Sequence, residues 1–135
     1  MKKLLTSLFI TLLCGAAPPP VPSLAAQTRH CEKVLWFEQK QFDLAQFYMT
    51  IQVKRAKDMK HPNAWGAVEL PNGGPVIEIM AMEDYNAGMT LAERQHHQDE
   101  VVVHEVLHVV LIREGVPSEV QDSIIEAIRP GVKLP

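Results

Sequence analysis

Along this chain the spacing of hydrophobic and polar positions changes several times, and each change predicts a different element. From Gln27 to about Gln41, Cys31, Val34, Leu35, Trp36 and Phe37 fall among Glu32, Lys33, Glu38 and Lys40. That loosely amphipathic spacing predicts a helix able to cover one face of a sheet. Phe47 to Lys54 alternates instead, with Phe47, Met49, Ile51 and Val53 on one side and Tyr48, Thr50, Gln52 and Lys54 on the other. This is the pattern of a half-buried strand. Ala64–Leu70 and Pro75–Met82 flank Pro71-Asn72-Gly73-Gly74, and the Asn-Gly turn signal predicts a β-hairpin. The second arm is apolar on both faces apart from Glu78, as suits a central strand. The first arm, with Trp65 and Gly66, suits an edge strand that simply pairs within the sheet, or one to which an extended peptide adds through main-chain hydrogen bonds.

The second half of the chain reads as helical. Thr90-Leu91-Ala92-Glu93 has the form of a capping box. From there either one helix runs from Leu91 to Arg113, or a break at Gln98–Asp99 starts a fresh one with Asp99 as its N-cap. Val101 to Ile112 is aliphatic throughout except for His104, Glu105 and His108. A helix of that composition is apolar around most of its circumference and is expected to be buried. Ser118-Glu119-Val120-Gln121 has a second capping-box form, opening a helix to about Ile128 with Val120, Ile124, Ala127 and Ile128 as its apolar stripe. Arg129-Pro130-Gly131 stops it. The order predicts an α+β domain: a small antiparallel sheet, made of a strand plus a β-hairpin, packed against an N-terminal helix, the buried helix and a C-terminal helix.

Composition adds a compartment. The chain has 135 residues, enough for one domain. Met1-Lys2-Lys3 is basic, Leu4 to Ala17 is largely apolar, and prolines and small residues follow. About fourteen apolar residues fall short of the roughly twenty that span a bilayer. A secretory signal peptide over residues 1–26 is expected, cut after Ala25 or Ala26. It would leave a single domain over 27–135, exported to the periplasm or beyond without stable membrane insertion; an uncleaved membrane anchor and a buried helix are the alternatives. The exported chain keeps only Cys31, so no internal disulfide can form, and that cysteine is expected to be buried. A formal net charge of −3 gives no reason to expect a nucleic-acid partner.

The three polar residues of the valine-rich run carry the candidate chemistry. In a helix, His104 and His108 stand one turn apart, about 6 Å along the axis, a separation one cation can bridge. Glu105 lies roughly 100° round from His104 and reaches beside such an ion. A β-strand would also put His104 and His108 on one face. The length of the run and its stop at Arg113-Glu114-Gly115 favour the helix.

His104-Glu105-x-x-His108 resembles the motif of zincin-type zinc metallopeptidases. The order of strand, hairpin and active helix is also similar to minimal zincins, including small predicted metallopeptidases of bacteria and phages. The resemblance implies Zn2+ as cofactor, His104 and His108 as ligands, Glu105 as general base and a peptide or protein substrate. An extended pattern with a Gly and a further His is not met, since Leu111 and Glu114 stand at those positions. The chain looks closer to the gluzincin type, whose third ligand is a Glu on the next helix. A helix folding back from Ser118 reaches the level of the two histidines about eight residues in, at Glu126, with Asp122 and Glu119 as alternatives. For an oxyanion-stabilising donor, His96, His97 and Tyr85 are the nearest in sequence. Two other classes compete with the zinc peptidase: a non-catalytic binding protein whose zinc is structural or vestigial, and a membrane-tethered partner protein whose histidines are core residues.

Overall fold

Ser23 opens the first helix, α1 (Leu24–Gln41), its Oγ accepting from the Ala26 N–H at 3.1 Å. This cap, not the amphipathic spacing, sets the start, so the helix begins at Leu24 rather than Gln27. The computed structural model describes residues 20–135. Most of the expected signal peptide therefore lies outside the described residues, while Leu24–Ala26 form the first turn of α1. Gln27, on the next turn, is 1% exposed and uses its whole amide. Its Nε2 donates to Pro22 O (2.8 Å) and Glu83 Oε1 (3.0 Å), and its Oε1 accepts from the Met82 N–H and Gln98 Nε2, both at 3.0 Å. A buried amide satisfied at both ends fixes α1 against the segment after the sheet and against the second turn of the fold's long helix without a desolvation penalty.

The sheet has three strands, β1 (Thr50–Lys54), β2 (Gly66–Glu69) and β3 (Val76–Met80), in the order β1–β3–β2. The hairpin of β2 and β3 is antiparallel as expected, but β1 pairs parallel to β3, so the sheet is mixed rather than wholly antiparallel. The apolar β3 takes a neighbour on each side. After β1 the chain passes through a 3-10 turn at Ala56–Asp58 to the far side and returns as β2, which leaves β1 and β3 running the same way. Gly74 enters β3 with φ +111°, and a Cβ there would run into Tyr48 O, so the turn requires glycine. The alternation predicted from Phe47 holds only from Met49 onward: Met49, Ile51 and Val53 are buried, while Phe47 and Tyr48 precede the strand and are exposed.

The main core joins Cys31, Val34 and Leu35 of α1 to Ile51, Val53, Ile77 and Ile79 of the sheet and to Val101, Val102, Val106 and Val109. Each fully buried aliphatic side chain contributes about 1.5–3 kcal/mol. Cys31 is buried as expected, and burial pushes its thiol up to about 12. Those valines belong to α2 (Leu91–Arg113), one unbroken helix opened by a capping box in which Thr90 Oγ1 accepts from Glu93 N–H and Glu93 Oε2 from Thr90 N–H. No break falls at Gln98–Asp99, because those polar residues serve neighbours sideways. Gln98 Nε2 donates to Gln27 Oε1 and to Met80 O (3.2 Å), and Asp99 Oδ1 contacts His30 Nε2 at 2.8 Å.

Gly115, with φ +75°, turns the chain out of α2. The last helix, α3 (Ser118–Ile128), packs Ile125 against Val103, Leu107 and Leu111. Its expected capping box does not form: Pro117 is the N-cap, with no side-chain cap bond, and Gln121 is turned inward. The stripe also differs from expectation. Val120 and Ile128 are exposed, and the buried row is Gln121 with Ile125, because only that side of α3 meets α2. Among the described residues, no helix is long and apolar enough to cross a membrane.

Candidate metal centre

The valine-rich run folds as the middle of α2 and leaves His104 and His108 on the one side of that helix that the sheet does not cover. Their ring centroids are 4.9 Å apart. The side chain that α3 brings to them is Asp122. Its Oδ1 lies 3.2 Å from His108 Nε2 and 3.5 Å from His104 Nε2. Two ligands about 2.1 Å from a tetrahedrally held ion are about 3.4 Å apart, and both distances fall beside that value. Ligand atoms of His104, His108 and Asp122 all lie within 4.8 Å of one another. Two imidazoles and a carboxylate are also a donor set that zinc accepts, so these residues fit the ion on both spacing and chemistry.

Glu126, expected as the third ligand, stands one turn further along α3. Its nearest approach is Oε1 to His104 Nδ1 at 3.8 Å, on the opposite ring nitrogen from Asp122. Among the described residues the group that could hold an ion is His104, His108 and Asp122, the last being one of the two alternatives; Glu126 and Glu119 are not part of it. The register of the two helices is the reason. Gln121 Nε2 donates to Val116 O and its Oε1 meets His108 Nδ1, each at 2.8 Å. That double contact levels the start of α3 with His108 instead of with the midpoint of the two histidines.

Glu105 lies beside this group, 5% exposed, beneath β2. Burial, helped by the negative charge of Asp122, raises its carboxyl to about 7. The imidazole of His104 is pushed the other way, first by burial and then by His108, with Asp122 and Glu126 opposing. A neutral imidazole is the form that binds a metal ion.

A cleft of about 790 Å³ runs over these residues. Its floor is α2 from His97 to Ile112, one wall is Ala64–Val68 of the sheet edge, and the other is α3. Trp65 O accepts from Met80 N–H at 2.8 Å, and antiparallel alternation then turns the main-chain groups of Gly66 and Val68 away from β3, towards the open edge. Asp122 is 79% exposed, so the group opens to solvent through the cleft.

Of the three expected oxyanion donors, Tyr85 and His97 pack together, ring centroids 5.1 Å apart, and His96 points elsewhere. His96 is exposed and faces Glu100 at 3.5 Å. Tyr85 is buried and stacks on Trp65, with ring centroids 5.7 Å apart. His97 lines the cleft but stands two turns before Glu105, its ring edge-on to Trp65 at 3.8 Å. Arg129 is the cleft's cation, held by Glu100 Oε1 at 3.2 Å and Glu126 Oε2 at 3.5 Å. Sequence reasoning passed over it, because Arg-Pro-Gly carries only a helix-stop signal. Gln121 was passed over too, its letters having been assigned to a capping box.

Comparison of the chain with family models, with curated proteins and with solved structures finds no match.

Proposed function

We propose that this protein is a zinc-dependent metallopeptidase that hydrolyses an extended peptide lying between the free edge of β2 and α3. The observation that carries this reading is the grouping of His104, His108 and Asp122 beside a buried Glu105 on the floor of an open cleft. Zinc, when bound by those three side chains, supplies a Lewis acid and draws the pKa of a water down towards about 7.

The chain's own groups do the rest. The outward main-chain groups of Gly66 and Val68 offer hydrogen bonds to a substrate backbone, which orients the scissile amide across α2. From His97 to Ile112 the floor extends about 22 Å, room for about six residues of extended chain. Glu105 accepts a proton from the attacking water as its oxygen bonds to the carbonyl carbon. It then delivers that proton to the leaving nitrogen as the C–N bond breaks. Glu105 is held under β2 beside the ligand group, within the cleft where that exchange would take place.

The exposure of Asp122 favours a reactive ion over a structural one, which is normally enclosed by four protein ligands. Replacing Glu105 by Gln tests the reading directly. Zinc content should stay at one per chain while hydrolysis of a mixed peptide substrate disappears. Undiminished hydrolysis in Glu105→Gln, or a wild-type chain that takes up no zinc, overturns it.

A further inference from the structure

Gln121 is 5% exposed, although a helix-surface amide is ordinarily solvated. Both ends of its side chain are engaged, at Val116 O and at His108 Nδ1, each 2.8 Å away. A carbonyl oxygen only accepts, so the end facing Val116 must be the NH2 group and the end facing His108 must be the oxygen. That oxygen in turn only accepts, so His108 Nδ1 is the nitrogen that carries a hydrogen. A neutral imidazole has one N–H, which leaves the lone pair of His108 on Nε2. Nε2 is the atom 3.2 Å from Asp122 Oδ1. Two lone-pair atoms then face each other across the cleft with nothing to donate between them, unless a proton or a cation occupies the gap.

We propose that Gln121 is a positioning residue: it holds His108 in the Nδ1–H form, with Nε2 aimed at Asp122, and thereby sets the affinity of this centre for zinc. The second half of the inference rests on the metal-centre reading given above; the first half does not. Gln121 acts through His108 and is not one of the three side chains grouped for an ion. The competing role is purely architectural, since the Val116 bond also anchors the turn between α2 and α3.

Two variants separate these roles. Gln121→Met keeps the bulk and loses both polar ends. Gln121→Glu keeps an acceptor for His108 Nδ1–H but cannot donate to Val116 O. In metal-free protein at mildly alkaline pH, long-range 1H–15N spectra of the histidine rings report which nitrogen bears the hydrogen. His108 is expected as Nδ1–H in wild type and in Gln121→Glu, and as a mixture in Gln121→Met. Zinc affinity, measured by competition with a chromophoric chelator, should fall about 10–100-fold in Gln121→Met and recover most of that loss in Gln121→Glu. Far-ultraviolet circular dichroism checks that both variants fold.

An Nε2–H form of His108 in the wild type overturns the inference. So does a Gln121→Glu protein as weak in zinc binding as Gln121→Met, for then the lost Val116 bond is what matters. A wild-type chain that binds no zinc brings down the metal-centre reading instead, while the ring spectra still decide whether Gln121 governs His108.

Discussion

Gly66 passes so close over Glu105 that a Cβ at position 66 would lie 2.8 Å from Glu105 Oε1 and 2.9 Å from its Cγ. The same atom would meet Val101 Cγ1 at 2.8 Å. The edge strand therefore roofs the buried carboxylate only because residue 66 has no side chain. Gly66→Ala should push Glu105 out of its place and cost about 1–3 kcal/mol of stability by overpacking. Peptide hydrolysis should fall steeply while zinc content is retained. Urea unfolding, metal analysis and a peptidase assay of the one variant check all three.

The third ligand is decided by comparing two substitutions on α3. Asp122→Ala removes the oxygen that both Nε2 atoms face, so zinc affinity should collapse by several orders of magnitude. Glu126→Gln alters a side chain that is 61% exposed, meets His104 only at Nδ1 and otherwise pairs with Arg129. Its effect should be at most about tenfold, the lower end of what outer partners contribute. Calorimetric titration with zinc ranks the two; a larger loss in Glu126→Gln returns the third ligand to Glu126.

Metal removal should leave the fold standing. None of the three apolar clusters includes His104, His108 or Asp122, so the core does not depend on an ion. Zinc at a hundredfold excess over its Kd adds about 2.7 kcal/mol. At an unfolding entropy of about 2.1 cal/mol/K per residue, that raises Tm of a domain of this size by about 11 °C. Calorimetric scans with and without a chelator should both show a cooperative transition, displaced by that amount. A chain that loses its transition on chelation would instead have a structural ion.

Acid sensitivity follows from Asp84. Its carboxylate accepts two hydrogen bonds from Arg55, at 2.8 and 2.9 Å, and one from the Ala56 N–H at 2.7 Å. The Arg55 hydrogen bond, with the Ala56 contact adding to it against burial, holds this group below the usual carboxylate range. A folded-state value below the unfolded one means that the stabilisation is complete above about pH 4. It is lost as pH falls through the lower, folded-state value. Asp84→Asn should therefore lower the urea midpoint at neutral pH and flatten its decline below about pH 4. An unchanged decline in the variant assigns the acid limb to other carboxylates.

Much of this molecule can be read from its letters where a local signal and a burial pattern agree. The Asn72-Gly73 turn, the capping box of Thr90 and Glu93, and the aliphatic run around His104 and His108 all act within a few residues, and the structure contains each as a hairpin, a helix start and a buried helix. The α+β class followed from them. What spacing could not express was direction and register between elements. The parallel pairing of β1 depends on which side of β3 the chain returns to, and nothing in Thr50–Lys54 encodes that choice. That Asp122 rather than Glu126 comes closest to both histidines depends on one buried amide, Gln121, whose letters also spell a plausible helix cap. Val120 and Ile128 drew the apolar stripe to the wrong side of α3 for a related reason: a short helix held along one row leaves other apolar residues in water.

The arrangement of α2, Gly115 and α3 gives the centre an uneven history of assembly. His104, His108, Asp122 and Gln121 all sit on two successive helices, so they meet by closing one short loop, whereas the roof over Glu105 arrives from a strand far earlier in the chain. In native-state hydrogen exchange, an excursion that lifts β2 off the helix would leave the helical pair and its side-chain group intact while flooding Glu105 with solvent. On the zinc reading, such a partly opened molecule keeps its ligand group together and loses the shelter of its base.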